Sequence, residues 1–202
     1  MIKAVIFDWG GVLIENPARE MAGYIATSLG VPMETFNNAY RELIPAFQKG
    51  TISEGFVWEK VCGELNVPKP EVSSLWREAF RSVYTPKEEI FSLASQLKGG
   101  GYKVGFLSNA EVPAMNFFHE QHYDTFDVTV FSCAEGTMKP ERRIYEITLE
   151  RLGVQPNQAI FIDDREDFIG GAKEMGINTI LFISEQQVKE ALASFSVIVA
   201  TS

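Results

Sequence analysis

The sequence predicts an α/β fold: a parallel β-sheet with helices on both faces, and a block of helices inserted after the first strand. Three observations carry this expectation. Short apolar runs rich in β-branched and aromatic residues recur at Ile2–Phe7, Tyr102–Leu107, Ala159–Ile162 and Asn178–Phe182, the pattern of strands buried on both faces. Helical spacing separates the later runs, as in successive βαβ units. Between Ile14 and Tyr84, by contrast, no strand-like alternation occurs, and four helices in a row do not fit a simple βαβ rhythm.

Taken in order, the first strand ends abruptly in Asp8, then Trp9, Gly10 and Gly11. Asn16-Pro17 reads as a helix start, with Asn as N-cap and Pro at the first helical position. That helix spans Ala18 to Leu29 and is closed by Gly30. A second helix is expected over 34–48. A third begins at Ser53-Glu54, with Phe56, Val57, Val61 and Leu65 at helical spacing, and Pro70 is expected to open a fourth. Thr85-Pro86 is expected to cap the helix that ends at Gly99-Gly100-Gly101. After the strand at 102–107 come a helix near 112–121, a short strand at 127–131 and a helix over 141–152. The strand at 159–162 precedes a helix over 170–175, a strand at 178–182, a helix capped by Ser184-Glu185, and an edge strand at Val197-Ile198-Val199. The expected division is a core of residues 1–14 and 85–202 with a helical cap of 15–84.

The bulk numbers bound the function. A chain of 202 residues with 46% hydrophobic content holds one large core or a domain with an insertion. A net charge of -9 argues against a nucleic-acid or anionic-membrane partner, but not against a small anionic substrate. Cys62 and Cys133 are far apart, without metal-ligand spacing. They read as buried residues of a reducing compartment. The chain enters its first strand directly, and no apolar run is long enough to span a bilayer, so a cytoplasmic location is expected. Oligomeric state is not legible.

Three strand ends carry polar groups: Asp8, Ser108-Asn109 and Asp163-Asp164. Lys139 stands just before a later helix. Strands of a parallel sheet point the same way, so these groups gather over one edge, where open α/β sheets bind ligands. A carboxylate serves as a covalent nucleophile towards phosphorus. Several carboxylates and a carbonyl suit a hard cation such as Mg²⁺, which also balances an anionic phosphoryl group. A hydroxyl, an amide and an ammonium suit the other phosphoryl oxygens. A lone Asp after a strand would more simply cap a turn; the clustering outweighs that reading.

Four segments together resemble the haloacid dehalogenase-like hydrolase superfamily: Phe-Asp-Trp-Gly-Gly-Val at 7–12, Leu-Ser-Asn at 107–109, Met-Lys-Pro at 138–140 and Phe-Ile-Asp-Asp-Arg at 161–165. The resemblance covers essentially the whole chain. It implies a Rossmannoid three-layer core with an inserted helical (C1-type) cap, and a phosphatase that acts on a small phosphate ester. In that reading Asp8 attacks phosphorus and forms an aspartyl phosphate. Ser108 and Asn109 bind the phosphoryl group, and Lys139 stabilises nucleophile and phosphate. Asp8, the Gly10 carbonyl and Asp164 bind Mg²⁺, with Asp163 touching the ion or standing just behind its ligands. The segment Gly50-Thr51-Ile52-Ser53 resembles the branch of sugar-phosphate phosphatases and epoxide-hydrolase N-terminal domains.

Two departures matter. Family phosphatases carry a second Asp two residues after the nucleophile to move the leaving-group proton; here that position is Gly10. Proton transfer typically contributes about 10²–10⁴-fold, so slower chemistry is expected unless another group, with Glu15 as candidate, substitutes. Four residues after Asp164, where Asn or Asp is common, stands Phe168, and Asp167 precedes it. His119 and His122 read as structural or surface residues, Phe117 and Phe118 as core, and Trp58 and Trp76 as cap packing. Tyr40 and Arg41 are cap positions able to touch substrate, although a cap charge is commonly a solvated face. The rival readings are a metal-independent 2-haloacid dehalogenase, a phospho-acceptor signalling module, and a binding protein on a decayed enzyme fold. Adjacent Asp163 and Asp164 disfavour the first, because acids crowded without a cation repel. The order of the acid pair disfavours the second, and retention of Asp8, Ser108, Lys139 and Asp164 disfavours the third.

Overall fold

A computed structural model describes residues 1–198. Five parallel strands form one sheet: β1 (Ala4–Phe7), β2 (Lys103–Ser108), β3 (Val128–Phe131), β4 (Ala159–Asp163) and β5 (Asn178–Leu181), in the order β3-β2-β1-β4-β5. Strand β1 is central, with Phe7 opposite Phe106 on one side and Ile162 on the other. Successive side chains of a strand face opposite ways, and β1 divides accordingly. Val5 and Phe7 join one core with Phe106 and Ile162, while Ala4 and Ile6 join a second with Leu107 and Phe161.

Helices cover both faces, giving three layers. The first face takes α6 (Glu88–Gly99), α7 (Val112–Glu120) and α11 (Glu185–Ser194) through Ile90, Leu93, Phe117, Phe118, Val188 and Leu192. The second takes α9 (Arg142–Leu152) and α10 (Glu166–Glu174) through Ile144, Tyr145, Phe168 and Ile169. A single turn, α8 (Ser132–Glu135), follows β3.

Between β1 and β2 lie α1 (Ala18–Leu29), α2 (Met33–Tyr40), α3 (Ile44–Gln48), α4 (Glu54–Leu65) and α5 (Leu75–Val83). Their apolar faces, including Met21, Ile25, Phe36, Trp58 and Phe80, are continuous with the first core. The two crossings between block and sheet are tied together: Glu15 N–H donates to Thr85 C=O and Lys87 N–H to Leu13 C=O, both at 2.9 Å. No helix among the described residues is long and apolar enough to cross a membrane.

Several local expectations change. The helix expected over 34–48 is broken by a 3₁₀ turn at Arg41–Leu43. Pro45 explains this, since it has no N–H for the carbonyl four residues back and its ring crowds that carbonyl. Pro70 does not open the fourth helix; Ser74 does, its Oγ accepting from Arg77 N–H at 3.1 Å. Thr85-Pro86 does not cap α6, because Pro86 pairs with Ile14 in a β-bridge and the helix starts at Glu88. Helix α10 starts at Glu166, earlier than expected, with acids in its first turn, where they favour the helix dipole. Val197 and Ile198 form no strand, and Val199 lies outside the described residues. Both cysteines are free, and Cys133 is only half-buried.

Candidate active site

The central position of β1 decides the site. Asp8 follows β1 directly, Ser108 ends β2 and Asp163 ends β4, so three adjacent strands deliver their last polar residues to one edge. The backbone of Asp8 continues the ladder, its N–H donating to Ile162 C=O at 3.0 Å.

Lys139 reaches into this edge from the loop before α9. Its ammonium, 1% exposed, donates to Asp8 Oδ1 at 2.6 Å, Asp163 Oδ2 at 2.7 Å and Leu107 C=O at 3.2 Å. All three ammonium donors are thereby used. The Phe168 ring covers the cation at 4.9 Å from its centroid, which gives the aromatic at that departure from the family pattern a physical role. Burial works to lower the Lys139 pKa, but the two carboxylates raise it, so the side chain stays charged. Burial pushes Asp8 up to about 7, Lys139 opposes this, and the Asp163 charge adds to it.

Asp163 is fully buried and spent on structure: Oδ2 on Lys139, and Oδ1 accepting from Arg165 N–H at 2.9 Å. Asp164 is half-buried and raised by burial and by Asp163. Carboxylate oxygens of Asp8, Asp163 and Asp164 all lie within 4.8 Å of one another. Three acids against one ammonium leave an excess of negative charge, and all donors are hard oxygens. That set fits a divalent cation of the Mg²⁺ type.

Sequence reasoning missed Gly11, although its doublet with Gly10 was the signal. Gly11 has φ +96, and a Cβ there would sit 2.5 Å from Asp164 Cγ and closer still to its oxygen. Only glycine lets the loop after β1 pass under Asp164. Asn109 lines the cavity described below and also ties a loop in place. Its Nδ2 donates to Lys139 C=O at 2.9 Å and its Oδ1 accepts from Lys139 N–H at 2.8 Å. The amide thus clamps the loop that carries Lys139. Ser108 is buried and lines the cavity described next.

A cavity of about 340 Å³ opens on Asp8, Ser108, Lys139 and Asp164 and extends between the strand ends and the inserted helices. Tyr40 and Trp76 are in its wall. Arg41 is exposed and bonds Asn38. Trp76 does more than pack: its indole N–H donates to Glu111 at 3.1 Å. Glu15 is solvent-exposed beside Lys87 and does not line the cavity, so it does not replace the carboxylate missing at Gly10. Asp167 is exposed and taken by Arg165, at 2.7 and 3.0 Å. His119 and His122 are exposed, while Phe117 and Phe118 are buried.

Known proteins are similar to this chain in sequence and in fold. The family model described as haloacid dehalogenase-like hydrolase matches residues 2–176. The sesquiterpene phosphatase astK of Aspergillus oryzae is 28% identical over 179 residues, covering 87% of each chain. Acyl-CoA dehydrogenase family member 10 of Mus musculus is 33% identical over 188 residues, which cover 88% of this chain but only 18% of that protein. A HAD family enzyme of Bacteroides thetaiotaomicron, solved with magnesium and inorganic phosphate, superposes with TM-score 0.72 at 25% identity, over 89% of this chain and 93% of the other. With its matching α/β core, the chain is a hydrolase that belongs to the haloacid dehalogenase-like family.

Proposed function

We propose that the chain is a Mg²⁺-dependent phosphomonoester hydrolase acting on a small phosphorylated metabolite. The observation that carries this reading is the buried Lys139 ammonium held between Asp8 and Asp163, with Asp164 beside them, in the lining of the cavity. Phosphatase relatives and the magnesium–phosphate neighbour support it.

The free oxygen of Asp8 attacks phosphorus. A bond forms from Asp8 to phosphorus and the bond to the leaving alcohol oxygen breaks. Water then attacks phosphorus, releases inorganic phosphate and restores the Asp8 carboxylate. Ser108 and Asn109 bind phosphoryl oxygens, while Lys139, its donors spent on Asp8, Asp163 and Leu107 C=O, orients the nucleophile and adds its positive charge. The Asn109 amide also keeps the Lys139 backbone in place. Asp8, Asp164 and the Gly10 carbonyl would hold Mg²⁺, with Asp163 behind them. When bound, the ion neutralises charge between the nucleophile and the phosphoryl group. Helices of residues 15–84 act as a cap that excludes water. Gly10 carries no proton, so leaving groups that depart readily are the better substrates. The crowding of three acids disfavours the metal-independent dehalogenase reading.

Hydrolysis of an aryl phosphate is measured with Mg²⁺, with EDTA, and in Asp8→Asn. Turnover that needs both the metal and Asp8 is expected. Full activity in Asp8→Asn would refute the nucleophile assignment.

A further inference from the structure

The cavity holds in its wall polar groups that phosphoryl transfer does not use. Its walls are largely apolar, with Met21, Ile25, Phe36, Ile44 and Phe80 among them. Set in the same wall are Tyr40 and Glu111. Glu111 is buried, with Oε1 accepting from Gln48 Nε2 at 3.2 Å and Oε2 from Trp76 Nε1 at 3.1 Å. Each oxygen keeps a further acceptor site. The Tyr40 hydroxyl is buried with no hydrogen-bond partner. Its ring lies 5.0 Å from that of Trp76, and the Glu111 charge acts on it. Buried polar groups without partners are rare in folded proteins, and one in a cavity wall beside a carboxylate points to a ligand.

The chemistry of that ligand follows from what the wall accepts. A phenol O–H needs an acceptor and a carboxylate needs a donor. A hydroxyl is both. Among the described residues lining the cavity, the cations are Lys139, held by Asp8 and Asp163, and Arg165, held by Asp167. A second phosphate or a carboxylate on the leaving group would therefore meet Glu111 with no free cation to balance it. Asn16, Asn37 and Gln48 also line the cavity, with Asn16 and Gln48 already bonded to Ala18 and Glu111. A sugar brings more hydroxyls than these groups pair, and each one left unpaired against the apolar wall costs roughly five- to a hundredfold in affinity.

Resting on the phosphatase reading above, we propose that the leaving group is a compact, largely apolar alcohol with one further hydroxyl, which seats on Tyr40 and Glu111. These two residues are then specificity determinants, one contributed by α2 and one by the loop after β2. The cavity volume of about 340 Å³ is near the lower end for small-molecule sites, about 300–1,000 Å³, which suits such a substrate and its phosphate.

The test is a panel of matched n-alkyl and ω-hydroxyalkyl phosphates of four to eight carbons, with glucose 6-phosphate and hexane-1,6-diol bisphosphate. One ω-hydroxyalkyl phosphate is expected to lead in kcat/KM. It should exceed its alkyl partner by a factor of about 10–100, the net worth of a hydrogen bond to a charged group, and exceed the sugar and the bisphosphate by more. In Tyr40→Phe and Glu111→Gln the hydroxyalkyl-to-alkyl ratio falls towards one, whereas a merely structural role would lower both substrates together. The corresponding non-hydrolysable phosphonates, titrated calorimetrically with Mg²⁺, give the same ranking without chemistry. If no phosphate is turned over yet the phosphonates keep this order, the phosphatase reading fails and the cavity assignment stands. If turnover is good but the sugar or bisphosphate leads, the assignment fails and the phosphatase stands. No phosphonate binding, or an unchanged ratio in both variants, overturns it. Should the variants not fold, the wild-type panel still decides.

Discussion

Asp8→Asn offers a stability measurement that is independent of any substrate. Two carboxylates flank one buried ammonium, and burial lifts Asp8 from its ordinary 3.8 to about 7. A raised carboxyl pKa means that the folded state prefers the protonated form. Below pH 4 the group is protonated folded and unfolded alike, and no penalty exists. Between about pH 4 and 7 the unfolded chain has released the proton while the folded one retains it, so stability falls as pH rises. Above 7 the full penalty is present. A difference of about 3 units at about 1.4 kcal/mol each gives about 4 kcal/mol. Asn resembles the protonated acid, and the Lys139 interaction is already contained in the shift; the additional N–H donor of the amide in a buried site returns about 1–2 kcal/mol. We therefore expect Asp8→Asn, in EDTA at pH 8, to be more stable than wild type by about 2–3 kcal/mol, or about 5–10 °C in Tm for a chain of this size. The gain should vanish near pH 4. Thermal denaturation followed by circular dichroism at both pH values reads it directly. A variant less stable than wild type at pH 8 would show that the Lys139 ion pair outweighs the burial of a second acid, and the argument would be wrong.

Other outcomes follow from the same geometry. Lys139→Met leaves Asp8 and Asp163 buried without a cation, and breaking a buried pair from one side costs about 3–5 kcal/mol; the Tm loss at pH 8 should shrink as pH falls towards 4 and Asp8, already raised by burial, protonates. Gly11→Ala places a methyl against the Asp164 carboxylate, so the thermal shift produced by added Mg²⁺ should drop while the circular dichroism spectrum is kept. At Gly10 the φ is not positive and a Cβ meets only Pro17 Cδ, at 3.2 Å. Gly10→Asp requires Pro17 to give by a few tenths of an ångström, and with that shift it should raise turnover of alkyl phosphates, up to about 10²-fold, more than that of aryl phosphates. An equal effect on both would mean that the new carboxylate carries no proton.

The strands, their parallel order in the chain and the inserted helical block were all written in local pattern. Apolar runs, caps such as Ser53 and terminators such as Gly30 are properties of neighbouring residues, and they hold in the fold. The grouping of Asp8, Ser108, Lys139 and Asp164 was legible too, because a parallel sheet sends every strand end to one edge. What local pattern does not contain is where each polar atom spends its hydrogen bonds. Asp163 and Asp164 are adjacent and chemically identical, yet successive side chains point apart, so one is sealed against Lys139 and the other faces the cavity. Asn109 lines the cavity at the end of β2, and its amide also closes on the Lys139 backbone, 30 residues away. Tyr40 and Glu111 lie on either side of β2 in the chain and meet only because the inserted helices fold back over the sheet edge. Side-chain pairing across such distances depends on helix placement to within an ångström or so, and only the tertiary structure decides it.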